Sequence, residues 1–191
     1  MRRIFGVLLI VILTVSVTGF ADDKAADTGK SEKMNDKIEV VLQPGVDKNH
    51  AVAEVTATNV NPLRILSIPL KYAAGEEKIK VDSVSYVDTR AEYFERKNDS
   101  LYPARQAVLV MLMSPFKDKK YLDLQPGSGV VARIYFAAKG TFPMDKFQVA
   151  PVTLPPNNKF MYVTDAITGA EPSFVYRVAG QEETAPKKKK D

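Results

Sequence analysis

Pro126-Gly127-Ser128-Gly129-Val130-Val131-Ala132-Arg133-Ile134-Tyr135-Phe136-Ala137-Ala138 is the stretch that decides the fold. A Pro-Gly-Ser-Gly turn runs straight into a segment whose even positions, Val130, Ala132, Ile134 and Phe136, are all apolar. Its odd positions carry Arg133 and Tyr135 beside Val131. Successive side chains of a strand point to opposite faces, so this reads as a strand with its even positions on a core. The odd positions then face water.

Upstream of this strand, Ala107-Val108-Leu109-Val110-Met111-Leu112-Met113 is apolar at every position. In a two-layer sandwich only one face of a strand meets the core. The second face is therefore either covered by a loop or left as an exposed apolar patch. Polar Gln106 and Ser114 share the parity of Val108, Val110 and Leu112, which marks those three as outward. With Val131, Arg133 and Tyr135 they form the candidate partner-binding face. Between the two strands, Pro115 and Lys117-Asp118-Lys119-Lys120 read as a loop, and Tyr121 to Leu124 leads to the Pro-Gly-Ser-Gly turn.

Farther out the same alternation recurs. Strands are expected over Lys37–Gln43, His50–Thr58, Leu63–Tyr72 and Ile79–Val87, separated by Pro44-Gly45, Asn59-Val60-Asn61-Pro62 and Ala73-Ala74-Gly75. Pro69 has no N–H to give a ladder, so it predicts an edge or a bulge. The apolar parity changes at Asp82-Ser83, which predicts a second bulge. Thr89 to Asp99 is mixed and fits a short strand or a single helical turn. Phe147–Thr153, Met161–Thr164 and Phe174–Val178 complete nine or ten short strands. The fold class is all-β, an antiparallel β-sandwich with jelly-roll topology over residues 37–180.

The ends differ in composition from this body. Arg2 and Arg3 precede an apolar run from Ile4 to Val17, and small residues at Gly19 and Ala21 lead to Asp22. This is the layout of a secretory signal peptide over residues 1–21, with an uncleaved membrane anchor as the rival reading. Residues 22–36 read as a flexible linker and residues 181–191 as a lysine-rich tail. The protein is expected to be exported, to the periplasm, the cell surface or the medium. It has no cysteine, so no disulfide can staple it and the core must hold it. Of its 27 basic residues, two lie in the leader and four are Lys187 to Lys190, against 23 acidic residues in all. The folded part is near neutral, which argues against a nucleic-acid partner.

The order of elements resembles a cohesin-like domain, the jelly-roll sandwich of the cohesin and carbohydrate-binding-module superfamily of exported bacterial proteins. The resemblance covers residues 37–180 and is carried by Ile38 to Leu42, Ile68 to Tyr72, Ile79 to Val84 and Pro126 to Phe136. It implies a non-enzymatic interaction module. No binding residue of the family maps onto a motif here, and there is no Asp-rich calcium repeat of the dockerin kind.

The residues that carry chemistry elsewhere are sparse. His50 is the only histidine, and as the first residue of a strand it reads as a surface group rather than a catalytic or metal-binding one. Asp88, Glu92 and Glu95 have arginines and a lysine among them and read as solvated charges rather than a glycosidase pair. Asp118, Asp123 and Asp165 are too scattered for a calcium loop. No cofactor, metal or catalytic residue is expected. Two partners are considered, an unknown protein and a polysaccharide. The second would be held by loop aromatics, Tyr93, Phe94, Tyr102 and Tyr121, beside Phe116. Membrane contact is expected only through an uncleaved leader.

Overall fold

The computed structural model describes residues 35–94, 96–165 and 168–180. The expected leader at 1–21, most of the linker, Glu95 and the tail at 181–191 lie outside the described residues. The strands are β1 (Lys37–Pro44), β2 (His50–Asn59), β3 (Leu63–Ala73), β4 (Ile79–Ser85), β5 (Arg96–Tyr102), β6 (Ala107–Met113), β7 (Phe116–Lys117), β8 (Lys120–Tyr121), β9 (Gly127–Ala138), β10 (Gln148–Pro151), β11 (Met161–Thr164), β12 (Gly169–Ala170) and β13 (Ser173–Val178). The first sheet runs β13-β1-β2-β9-β4, and the second runs β12-β11-β3-β6-β5 with β10 also paired to β3. All strand pairs are antiparallel except β1 with β13. The expected sandwich is present.

Both sheets put one face on a shared core. Ile38, Val40 and Leu42 of β1 and Ala51, Ala53, Val55 and Ala57 of β2 line it from one side. Leu66, Ile68, Leu70 and Tyr72 of β3 line it from the other. Small residues on β2 leave room for an aromatic knot in which Phe136 meets Tyr72 and Phe147 with ring centres 5.2 and 5.0 Å apart. Buried Tyr162 donates its hydroxyl to the Lys37 carbonyl at 2.8 Å, so its polar end is satisfied by a strand of the opposite sheet. Desolvation pushes that phenol far above its usual pKa. Asp36, expected in the linker, already belongs to the fold, since its carboxylate accepts from the Val60 N–H at 2.9 Å.

The bulge expected at Asp82 is where the β4–β9 register shifts, between Val81 and Ser83. A second shift was not expected. Opposite β2, Val55 pairs with Ala132 but Thr56 pairs with Val130, so Val131 is an extra residue. A bulge places two successive side chains on one face. Val131 and Ala132 are therefore both buried, with Ile134 and Phe136, while Val130 is only partly covered.

Pro69 lies neither at an edge nor in a bulge. On one side β3 is paired first by β11, through Ser67, and then by β10, from Leu70 onward. Pro69 falls in the gap, and its carbonyl accepts from the Val152 N–H at 3.1 Å. The N–H and carbonyl of a strand residue point the same way, so the missing donor falls on the side where the pairing passes from one short strand to the next, and the ladder loses one bond there.

The Pro-Gly-Ser-Gly stretch also has a different reason from a simple turn. Strand β9 begins at Gly127, inside the motif. The guanidinium of Arg90 donates to the carbonyls of Ala57, Gly127 and Gln125 and to Asn59 Oδ1, at 2.6–3.0 Å. A Cβ on residue 129 would lie 2.7 Å from Arg90 Cδ. Glycine is needed there because the arginine stem lies across the backbone. Burial, with no carboxylate partner among the described residues, holds the Arg90 pKa below its usual value.

Candidate functional site

The two outward faces of the sandwich are chemically unlike. On the first sheet, Arg177 Nε donates to Glu39 Oε1 at 2.6 Å, Lys37 reaches Glu39 at 3.3 Å, and Gln43 donates to Glu54 at 2.9 Å. Arg133 closes the row with Glu54 at 2.9 Å and the Val87 carbonyl at 2.8 Å. The Arg177 hydrogen bond holds the Glu39 carboxyl below its usual pKa. Every charge named there has a partner.

The outer face of the second sheet carries apolar residues. By register, Val163, Ile65 and Met113 form one row and Met161, Ser67 and Met111 the next. In the following rows, Pro69 with Leu109 and Lys71 with Ala107, the loop after β10 roofs Leu109 and Ala107 and leaves Lys71 exposed. Leu154 packs on Ala107 and Leu109, with Tyr102, Met111 and Val152 around them, as a small second core. Backbone bonds between Leu154 and Asn158 at 2.7 and 3.0 Å pin that loop, as does the Tyr102 hydroxyl on the Pro155 carbonyl at 3.3 Å. The roof stops short. Ile65, Met111, Met113 and Met161 remain partly exposed, and among them lies Ser67, 5% exposed, whose hydroxyl has no hydrogen-bond partner among the described residues. Both alternatives for the β6 face, a loop cover and an apolar patch, are realised on different parts of one surface.

The candidate partner face read from the sequence is corrected in two ways. Val108, Val110 and Leu112 point into the main core and are fully buried, as is Val131. The polar markers misled. Gln106 sits in a left-handed conformation, φ 47°, capping the tight turn Pro103–Arg105, so it lies before the strand's alternation. Ser114 points inward and is satisfied by the Leu63 carbonyl at 3.3 Å. The outward set on β6 is Leu109, Met111 and Met113. Arg133 and Tyr135 do face outward, but on the opposite sheet, so the six residues are not brought together.

The aromatic set also separates. Phe94 is 1% exposed and belongs to the core. Tyr102 lies at the far end of β5 from Arg96 and packs beneath the Leu154 loop. Tyr93 and Tyr121 remain exposed, and both touch one ion pair: the Tyr93 hydroxyl donates to the Asp123 carbonyl, and Arg64, bound to Asp123 at 3.1 Å, lies over the Tyr121 ring. A sugar platform of all four is not formed.

The remaining candidates are held in structural roles. His50 Nδ1 lies 2.6 Å from Asp47, with Asp82 3.6 Å from its other nitrogen, and the Asp47 carboxyl sits below its usual pKa because of that contact. The Glu92 carboxylate accepts from the Asp88 N–H. Among the described residues no group of three or more His, Cys, Asp or Glu is placed to hold a metal ion.

The sixth cohesin from Acetivibrio cellulolyticus scaffoldin B, in complex with a dockerin, superposes with a TM-score of 0.53 at 15% identity over 76% of this chain and 96% of that one. The fold is cohesin-like. A type I cohesin from Pseudobacteroides cellulosolvens gives 0.52 at 15% identity, over 77% and 95% of the two chains. A cohesin from a Clostridium thermocellum cohesin–dockerin complex gives 0.51 at 12% identity, over 74% and 99%. No protein-family model matches the chain, and no curated protein matches it in sequence.

Proposed function

We propose that this cohesin-like chain is an exported, non-enzymatic module that binds a protein partner through the outer face of its second sheet. The observation that carries the reading is the unroofed patch of Ile65, Met111, Met113 and Met161 around the unpartnered Ser67 hydroxyl. Methionine suits a binding surface because its thioether adapts to the shape it meets. A partner that covers the patch removes apolar area from water. The paired charges of the first sheet offer no comparable gain.

The partner is a dockerin-type module or a fold of similar size. Two of the structural neighbours were solved as complexes with dockerins, which supports that choice. Export to the envelope follows from the signal-peptide reading of residues 1–21 and is tested by cell fractionation. The partner class is tested by calorimetric titration against a panel of dockerins. Saturable one-to-one binding, lost in Met111→Asp, is expected. Silence across the panel, or binding untouched by Met111→Asp, contradicts the assignment.

A further inference from the structure

We propose that the β7–β8 ribbon is a second, separate site, a docking tip for an anionic phospholipid surface. The ribbon spans Phe116 to Tyr121 and turns through Asp118 and Lys119, both in the left-handed region with φ 51° and 63°. That is the backbone of a tight two-residue hairpin. The Leu122 N–H on the Pro115 carbonyl, at 3.0 Å, closes its base.

Phe116 and Tyr121 are directly opposite each other, with ring centres 4.9 Å apart. They are 62% and 47% exposed, although both are large apolar side chains in a chain with ample core. Arg64 lies behind the Tyr121 ring at 4.2 Å and is itself bound to Asp123, which fixes the ring without neutralising the tip. Lys117 and Lys120 are also directly opposite each other, one step along the ribbon and therefore on its other face. Like charges in that position repel.

Among the described residues Arg64, Lys80, Arg133 and Arg177 are paired with acids, whereas Lys71, Lys78, Lys139 and Lys159 are not; what sets the ribbon apart is three lysines within six residues beside two exposed rings. Lys117, Lys119 and Lys120 have no carboxylate partner among the described residues, and Asp118 is the one acid of the ribbon. Two exposed rings backed by three unpaired lysines match a bilayer interface. The rings enter the headgroup boundary, and the long lysine stems reach lipid phosphates around them. A soluble anionic polymer would meet the lysines and leave the rings in water. A protein partner has no such requirement for charge repelled from charge. The site lies on a different element from the β3–β6 patch, so either can fail without the other.

The chain contains no tryptophan, which makes Phe116→Trp in the full chain a single reporter. The probe is vesicles of phosphatidylglycerol with phosphatidylcholine, against phosphatidylcholine alone. With the anionic vesicles the indole emission is expected to shift to the blue and to be quenched by brominated acyl chains. Phosphatidylcholine alone should leave it unchanged, as should a Tyr135→Trp reporter on the first sheet with either vesicle. Adding Lys117→Gln, Lys119→Gln and Lys120→Gln is expected to raise the lipid concentration needed roughly a hundredfold, at about a factor of five per lysine. Lys187 to Lys190 can pull the chain down with anionic vesicles by charge alone, so pelleting is not the readout. Emission that stays unshifted while the protein pellets overturns the proposal, as does a shift that ignores the three substitutions. A shift produced by a protein ligand and not by vesicles also overturns it.

Discussion

The outer faces of the two sheets flank one core, yet they solve opposite problems. The first sheet covers itself with cross-strand pairs, Arg177 with Glu39 and Arg133 with Glu54, and needs nothing further. The second carries apolar residues outward, roofs half of them with Leu154, and leaves four partly open around a stranded hydroxyl. A surface that stays unfinished in the free chain is the surface where a partner gains most. A sheet face with every charge paired is finished.

The largest effect that can break this comparison lies in two neighbouring residues of β6. Val110→Asp puts an unpaired charge in the main core and is expected to cost more than about 4 kcal/mol, enough to unfold the chain. Met111→Asp, one residue on, lies at the edge of the second core and is expected to cost clearly less, about 1–2 kcal/mol by urea unfolding, and to abolish partner binding. Equal losses of stability would mean that β6 faces the other way. Next in size is Leu154→Ala, expected to cost about 2–3 kcal/mol by emptying the second core, and to increase binding of a hydrophobic dye. No change would show that the roof is idle.

Much of this contrast could be read from the sequence, and the parts that could not have identifiable causes. The Asp82 bulge showed itself because polar and apolar residues exchange parity there. The Val131 bulge did not, because Val130, Val131 and Ala132 are all apolar and a shift among them leaves no mark. Strand β6 is apolar on both faces, so its orientation depended on Gln106 and Ser114. One precedes the strand in a left-handed turn, and the other is a buried serine held by a carbonyl. The role of Gly129 depends on Arg90, a contact between segments remote in sequence. The candidate site could be read as a class, an apolar strand face in want of cover, and its side was inverted.

Smaller effects sharpen the picture. Ser67→Ala removes a buried hydroxyl with no partner among the described residues and is expected to stabilise the free chain by about 1 kcal/mol. If it destabilises the free chain, the hydroxyl is satisfied in solution and is not reserved for a partner. Smallest is Glu39→Gln, expected to cost less than about 1 kcal/mol at neutral pH, because the pair is half in water. The folded-state pKa of Glu39 is lowered, so its contribution is complete above the unfolded value and is lost as pH falls through the folded one. The gap between parent and variant should therefore begin to close only as pH falls below the ordinary glutamate value of about 4.3. Divergence in acid would contradict the pairing.

The central claim is that the partner sits on the second sheet, and site-specific photo-crosslinking in the native cell tests it most directly. A photoreactive residue at Met111 is expected to yield one discrete protein adduct, and the same residue at Tyr135 on the first sheet none. An adduct from Tyr135 with none from Met111 would contradict the account.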